Sequence, residues 1–198
     1  MEAFLSRPLL PYLAVVVFWL IGFFMQHQLT ALNFVTGVSL LYFPAGIRTL
    51  AVFVLGFRGA LAVFVGSLLT ILFEFPTLQP TWSEFMWAIG VAVASAFSAY
   101  VAMKAVKFWK NIPSSLEGLT MRNVVYIVIS QGLVSATLHQ LLFNLNGAAL
   151  EYVNHTTEQA LVYWAAMASG DIIGSMLVLL GVLIAYKAGQ DLRRQMIN

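Results

Sequence analysis

The chain alternates long apolar stretches with short polar ones, and it does so six times. Each apolar stretch is near or above the roughly 20 residues that a helix needs to cross a bilayer, except the third, which is shorter. The pattern predicts an all-α membrane protein, a bundle of about six transmembrane helices forming one domain over residues 1–198, with no soluble output domain. The predicted spans are Leu9–Phe24, Phe34–Phe57, Ala60–Phe73, Trp82–Val106, Val124–Leu145 and Ala160–Tyr186.

Two of these stretches contain proline or glycine residues, which destabilise a helix. In the second, Pro44 and Gly46 stand just before Arg48, and in the sixth, Gly170 and Gly174 flank an aspartate. Proline lacks a backbone donor and restricts the residue before it, whereas glycine adopts conformations that other residues avoid. We therefore expect the second and sixth helices to be broken at these residues. Broken helices in membrane proteins often form ligand sites.

Composition and charge support a membrane location. Hydrophobic residues make up 61% of the chain and charged residues 9%, whereas a soluble domain carries about 25% charged residues. The lipid bilayer is therefore the first expected partner, and no basic, aromatic-rich surface indicates nucleic acid. The absence of cysteine excludes disulfides, thiolate metal sites and thiol nucleophiles.

The distribution of basic residues predicts the topology. If both termini are cytoplasmic, nine of the ten lysines and arginines fall on the cytoplasmic side and the external loops carry none, as the positive-inside rule requires. Arg48 alone remains within the membrane. The nine are Arg7, Arg58, Lys104, Lys107, Lys110, Arg122, Lys187, Arg193 and Arg194.

Arg48 and Asp171 are the two charged residues that the spans place well inside the bilayer. Opposite charges in a low-dielectric interior are expected to pair, because an unpaired one is strongly unfavourable. Two interpretations remain open. The pair flanks a polar cavity in which Arg48 engages an anionic ligand, or it is an architectural ion pair that joins two helices.

A polar stripe marks the fifth span. Gln131, Ser135 and His139 recur at four-residue spacing and so share one helix face, and Asn144 follows them. Such a face is expected to point into the bundle, where it either lines the same cavity and binds a polar ligand or forms interhelical hydrogen bonds.

Small residues recur every fourth position along the fourth span, at Gly90, Ala94, Ser98 and Ala102. This spacing permits close helix packing. It predicts either a homodimer interface or packing within the bundle.

Nothing in the sequence indicates catalysis. No serine-histidine-acid set, phosphate loop or metalloprotease motif is present. His27 and His139 have no accompanying ligand at metal spacing, so we expect no metal, haem or other cofactor. The protein is not expected to be an enzyme.

Short motifs in the second and last spans match a known family: an aromatic residue, proline, glycine and arginine in Phe43–Arg48, and an aspartate followed by glycine in Asp171–Gly174. They resemble the MASE-type (membrane-associated sensor) domain that precedes histidine kinases, diguanylate cyclases and cyclic-dinucleotide phosphodiesterases. The arginine is most similar to that of the hexose-phosphate sensor kinases. The resemblance implies sensing in a bacterial inner membrane.

The leading hypothesis is a sensor or ligand-binding module. Because only Lys187–Asn198 follows the last span, its output is expected in a separate kinase or cyclic-dinucleotide enzyme, unless the chain is a fragment of a longer protein. The alternative is the substrate-binding component of an energy-coupling-factor transporter, although the first span has Ala14 as its single alanine instead of the spaced alanines typical of that class. A third hypothesis is a membrane scaffold or assembly factor that uses the small-residue stripe.

Overall fold

A computed structural model describes residues 9–29, 33–35, 38–74, 81–112, 119–145 and 157–197. These residues form six helices and a short antiparallel hairpin, in which Asn33 pairs with Ser39 and Val35 with Val38. The elements are α1 (Leu10–Gln28), β1 (Asn33–Val35), β2 (Val38–Ser39), α2 (Phe43–Leu55), α3 (Phe57–Glu74), α4 (Trp82–Trp109), α5 (Met121–Leu145) and α6 (Thr157–Ile197).

Five of the helices, all except α2, are long and apolar enough to cross a membrane. The prediction of a multi-pass helical bundle is confirmed to that extent. The 13 residues of α2 correspond to about 20 Å of helix, which is less than the roughly 30 Å of a bilayer core.

The predicted second span is wrong in its first half. The hairpin strands Asn33–Val35 and Val38–Ser39 come before Phe43, where α2 begins. Pro44 lies in the first turn of α2, where its missing N–H would have had no helical partner in any case. Pro44 and Gly46 therefore lie at the start of a helix and do not break one.

The predicted break in the sixth span is also wrong. Gly170, Asp171 and Gly174 lie inside α6, which is a continuous helix over 41 residues. A glycine within a helix costs only about 1 kcal/mol relative to alanine, so small residues alone do not end a helix. Their packing, described below, explains their presence.

Successive helices run in opposite directions, which brings alternate helix ends together. The chain reverses between α2 and α3 at Gly56, where φ is 60°, a conformation that suits glycine. The other directions follow from contacts between neighbouring helices. They are, for α1 and α2, Gly22 with Ile47 and Gln26 with Phe43; for α3 and α4, Phe57 with Tyr100; for α4 and α5, Trp109 with Tyr126 and Trp87 with Phe143; and for α5 and α6, Thr137 with Trp164 and Gln131 with Ser175.

We call the end of the bundle that contains Gln26, Glu74 and Trp87 the upper end. The described cations that the sequence assigns to the cytoplasm, such as Arg58 and Lys104, belong to the opposite helix ends. Which side of the membrane each end faces stays a prediction.

The small-residue stripe of α4 is packed within the chain. Ala94, Ser98 and Ala102 are at most 3% exposed, and Gly90 lies against Leu142 of α5. The stripe is therefore an internal packing surface, and its buried residues are not available to form a homodimer interface.

Candidate ligand-binding site

The buried ion pair predicted from the sequence is present at the centre of the bundle. Arg48 Nη2 donates to Asp171 Oδ2 at 2.8 Å, with 1% and 4% of the two side chains exposed. Arg48 Nη1 donates to the Ser95 carbonyl at 2.9 Å and to Ser135 Oγ at 3.2 Å. Both terminal nitrogens of the guanidinium are thus engaged by protein groups, and the ion pair joins α2 to α6.

The α5 stripe contributes two residues to this centre. His139 Nδ1 lies 2.8 Å from the Ser135 carbonyl and Nε2 lies 3.1 Å from Ser95 Oγ. Because a carbonyl can only accept, Nδ1 carries a hydrogen, and in the neutral ring Nε2 accepts from the Ser95 hydroxyl. Ser95 therefore contributes its carbonyl to Arg48 and its side chain to His139.

The third residue of the stripe belongs to a separate buried network. Gln131 Nε2 donates to Ser175 Oγ at 3.1 Å, and Gln131 Oε1 contacts the hydroxyl of Thr49. Thr49 donates to the Ala45 carbonyl at 2.8 Å. This network ties α2, α5 and α6 together, and Gln131 is fully buried.

A cavity of about 230 Å³ opens above the ion pair, at the upper end of the bundle. Of the residues predicted as ligand-binding, Ser135, His139 and Asp171 line it, whereas Arg48 and Gln131 do not. The side chain of Asn144 lies outside the described part of the structure. The other polar lining residues are Gln26, His27, Ser39, Tyr42, Ser67, Thr70, Glu74 and Ser95, and the apolar ones are Trp19, Phe23, Val38, Ile71, Trp87, Val91, Phe143 and Met167.

The glycines of α6 allow the segment before α2 to reach the cavity. A Cβ on Gly170 would collide with the Ser39 carbonyl, and one on Gly174 with the Tyr42 carbonyl. The Tyr42 N–H also donates to the Gly170 carbonyl at 3.1 Å. Glycine is required here because backbone packs directly on backbone, and this places Ser39 and Tyr42 in the cavity wall.

The contribution of α1 was missed by the sequence analysis, because Gln26 lies beyond the first predicted span, which ends at Phe24. Gln26 Nε2 donates to Ser39 Oγ at 2.9 Å, and Gln26 Oε1 accepts from the Phe43 N–H at 3.3 Å. Trp19 Nε1 reaches Thr70 Oγ1 at 3.5 Å. The spacing of Trp19, Phe23 and Gln26 places them on one helix face. This spacing is the feature of the sequence that could have indicated that α1 contributes to the cavity.

Comparison with protein-family models, curated proteins and solved structures finds no match to this chain. The fold and the site define its class: a multi-pass helical bundle with a polar and aromatic cavity above a buried arginine-aspartate pair.

Proposed function

We propose that this protein is an integral membrane ligand-binding module of the sensor type, which signals through a separate partner protein. The observation that carries the proposal is the position of Asp171. Its side chain lines the cavity and also pairs with Arg48. A ligand that contacts Asp171 therefore acts on the ion pair that holds α2 against α6.

The continuity of α6 supports transmission of a signal from this pair. Asp171 lies within α6, and the helix continues to Ile197. At 1.5 Å per residue, the part from Asp171 to Gln190 is about 28 Å long. The described residues from Leu180 to Gln190 are exposed on all faces. A ligand that favours one packing of α2 on α6 would shift this exposed part, because binding energy that differs between two packings changes their populations.

The resemblance to MASE-type domains adds the signalling component of the proposal. It implies a bacterial inner membrane and makes a histidine kinase or cyclic-dinucleotide enzyme the expected partner, while the distribution of basic residues predicts that both termini are cytoplasmic. No catalytic step is proposed for this chain itself.

The test is purification of the tagged chain from its native membranes in mild detergent, with mass spectrometry of every stoichiometric partner. Recovery of a kinase or cyclic-dinucleotide enzyme is the expected result, and replacement of Asp171 by asparagine should alter its output. A matched control is Glu158→Gln, which removes an exposed carboxylate on the same helix. Failure to recover any signalling protein would refute the sensor proposal.

The cavity also favours a second candidate, the substrate-binding component of an energy-coupling-factor transporter, because such a protein requires a ligand pocket. The same purification distinguishes the two candidates, since a transporter component would bring ATPases with a coupling subunit. The scaffold hypothesis loses its main support, because the small-residue stripe is buried within the chain.

A further inference from the structure

The charges that face the cavity are negative. Glu74 and Asp171 both line it, and its described lining contains no lysine or arginine. Arg48 lies outside the lining, with Nη1 and Nη2 engaged by protein groups. The positive charge of Arg48 balances the carboxylate of Asp171. Glu74 therefore adds a second carboxylate that no lysine or arginine of the described lining balances.

Aromatic rings make up much of the remaining wall. Trp19, Phe23, Trp87 and Phe143 all line the cavity, and the Trp87 and Phe143 rings are 6.3 Å apart. The faces of aromatic rings carry negative charge density, and tryptophan attracts cations most strongly. Such walls pack against the apolar part of a ligand, and a ring face that meets a cation attracts it as the carboxylates do.

We propose that the cavity binds a small organic cation, with its ammonium group directed towards Glu74 and its apolar part among the aromatic rings. This inference rests on the proposed function, because it names the ligand class of the same site. It replaces the expectation of an anionic ligand, which required Arg48 in the cavity wall. The volume of about 230 Å³ equals that of roughly eight water molecules in the liquid, enough for a single ring with a short chain.

The test compares three probes of similar shape and different charge: phenethylammonium, 2-phenylethanol and phenylacetate. Each is titrated into the purified full chain at pH 7 and low salt, and thermal stabilisation gives the dissociation constant. We expect phenethylammonium to bind more tightly than the neutral probe and phenylacetate to bind most weakly.

Two variants locate the binding. Glu74→Gln removes an exposed carboxylate at the mouth of the cavity, so we expect it to weaken phenethylammonium binding by about fivefold, with little effect on 2-phenylethanol. The control is Glu158→Gln, since Glu158 is an exposed carboxylate that does not line the cavity; it should leave all three affinities unchanged.

The outcomes separate the two proposals. Tighter binding of phenylacetate or of 2-phenylethanol than of phenethylammonium would overturn the cation assignment and leave a ligand-binding module. An equal effect of both glutamate variants would also overturn it, because the attraction would then be a general surface effect. No binding of any probe at millimolar concentration to folded protein would refute both the cation assignment and the ligand-binding function.

Discussion

Replacement of Arg48 by methionine isolates the energetic role of the buried ion pair. Methionine is similarly long and unbranched, so it fills much of the same space. The change removes the cation that pairs with Asp171 at 2.8 Å and the donor to Ser135 at 3.2 Å. Asp171 is then left with 4% of its side chain exposed and no cationic partner among the described residues.

The expected loss is large because one charge of a buried pair remains. Breaking such a pair by removing one partner destabilises a protein by about 3 to 5 kcal/mol, whereas replacing both partners by apolar residues is often nearly neutral. We therefore expect Arg48→Met to lower the free energy of unfolding by about 3 kcal/mol or more. The double variant Arg48→Met/Asp171→Leu should lie within about 1 kcal/mol of the original protein.

The measurement is reversible unfolding in mixed micelles of increasing SDS content, followed by circular dichroism. Arg58→Met is the matched control, because Arg58 is exposed and its hydrogen bond to Tyr12 is long, at 3.4 Å; this change should cost less than about 1 kcal/mol. A double variant no more stable than Arg48→Met would refute the reasoning, since the loss would then not come from an unpaired charge.

Three further changes test the packing around the site, each by the same unfolding assay. Gly174→Ala should lower stability by about 1 to 3 kcal/mol, because its Cβ would collide with the Tyr42 carbonyl. Gly181→Ala is the control within α6, where a Cβ meets nothing within 4 Å, and it should be neutral or stabilising by up to about 1 kcal/mol; a similar loss in both would contradict the packing explanation. Gln131→Leu leaves the hydroxyls of Thr49 and Ser175 without their amide partner and should cost about 1 to 3 kcal/mol; an unchanged midpoint would show that the network adds little. Gly56→Ala forces alanine to adopt φ 60° with ψ −134°, close to a backbone region that essentially only glycine adopts, and should cost about 1 to 3 kcal/mol, whereas no change would mean that the turn relaxes freely.

Much of the bundle follows from hydropathy alone, because a lipid-exposed or buried helix needs a long apolar stretch. The first, third, fourth, fifth and sixth predicted spans all correspond to helices that are long and apolar enough to cross a membrane. The second does not, because hydropathy does not distinguish a helix from a short hairpin. Proline likewise fits the first turn of a helix as well as its interruption, so Pro44 did not decide between them.

The sequence predicted the ion pair of the site but not the cavity wall beside it. Pairing of Arg48 with Asp171 followed from electrostatics, since each is the natural partner of the other in a low-dielectric interior. The cavity wall depends on which helices are neighbours, and the sequence of a single span does not show which helices it will contact. Glu74 and Trp87 meet there only because α3 and α4 run in opposite directions.

The separation of Arg48 and Asp171 by 123 residues has a consequence for biosynthesis. While the ribosome is still making the chain, α2 emerges long before α6, and during that interval its arginine has no counter-ion. A 13-residue helix that carries such a charge partitions poorly into lipid by itself. We therefore expect the insertion of α2 to be completed only when the last helix supplies Asp171.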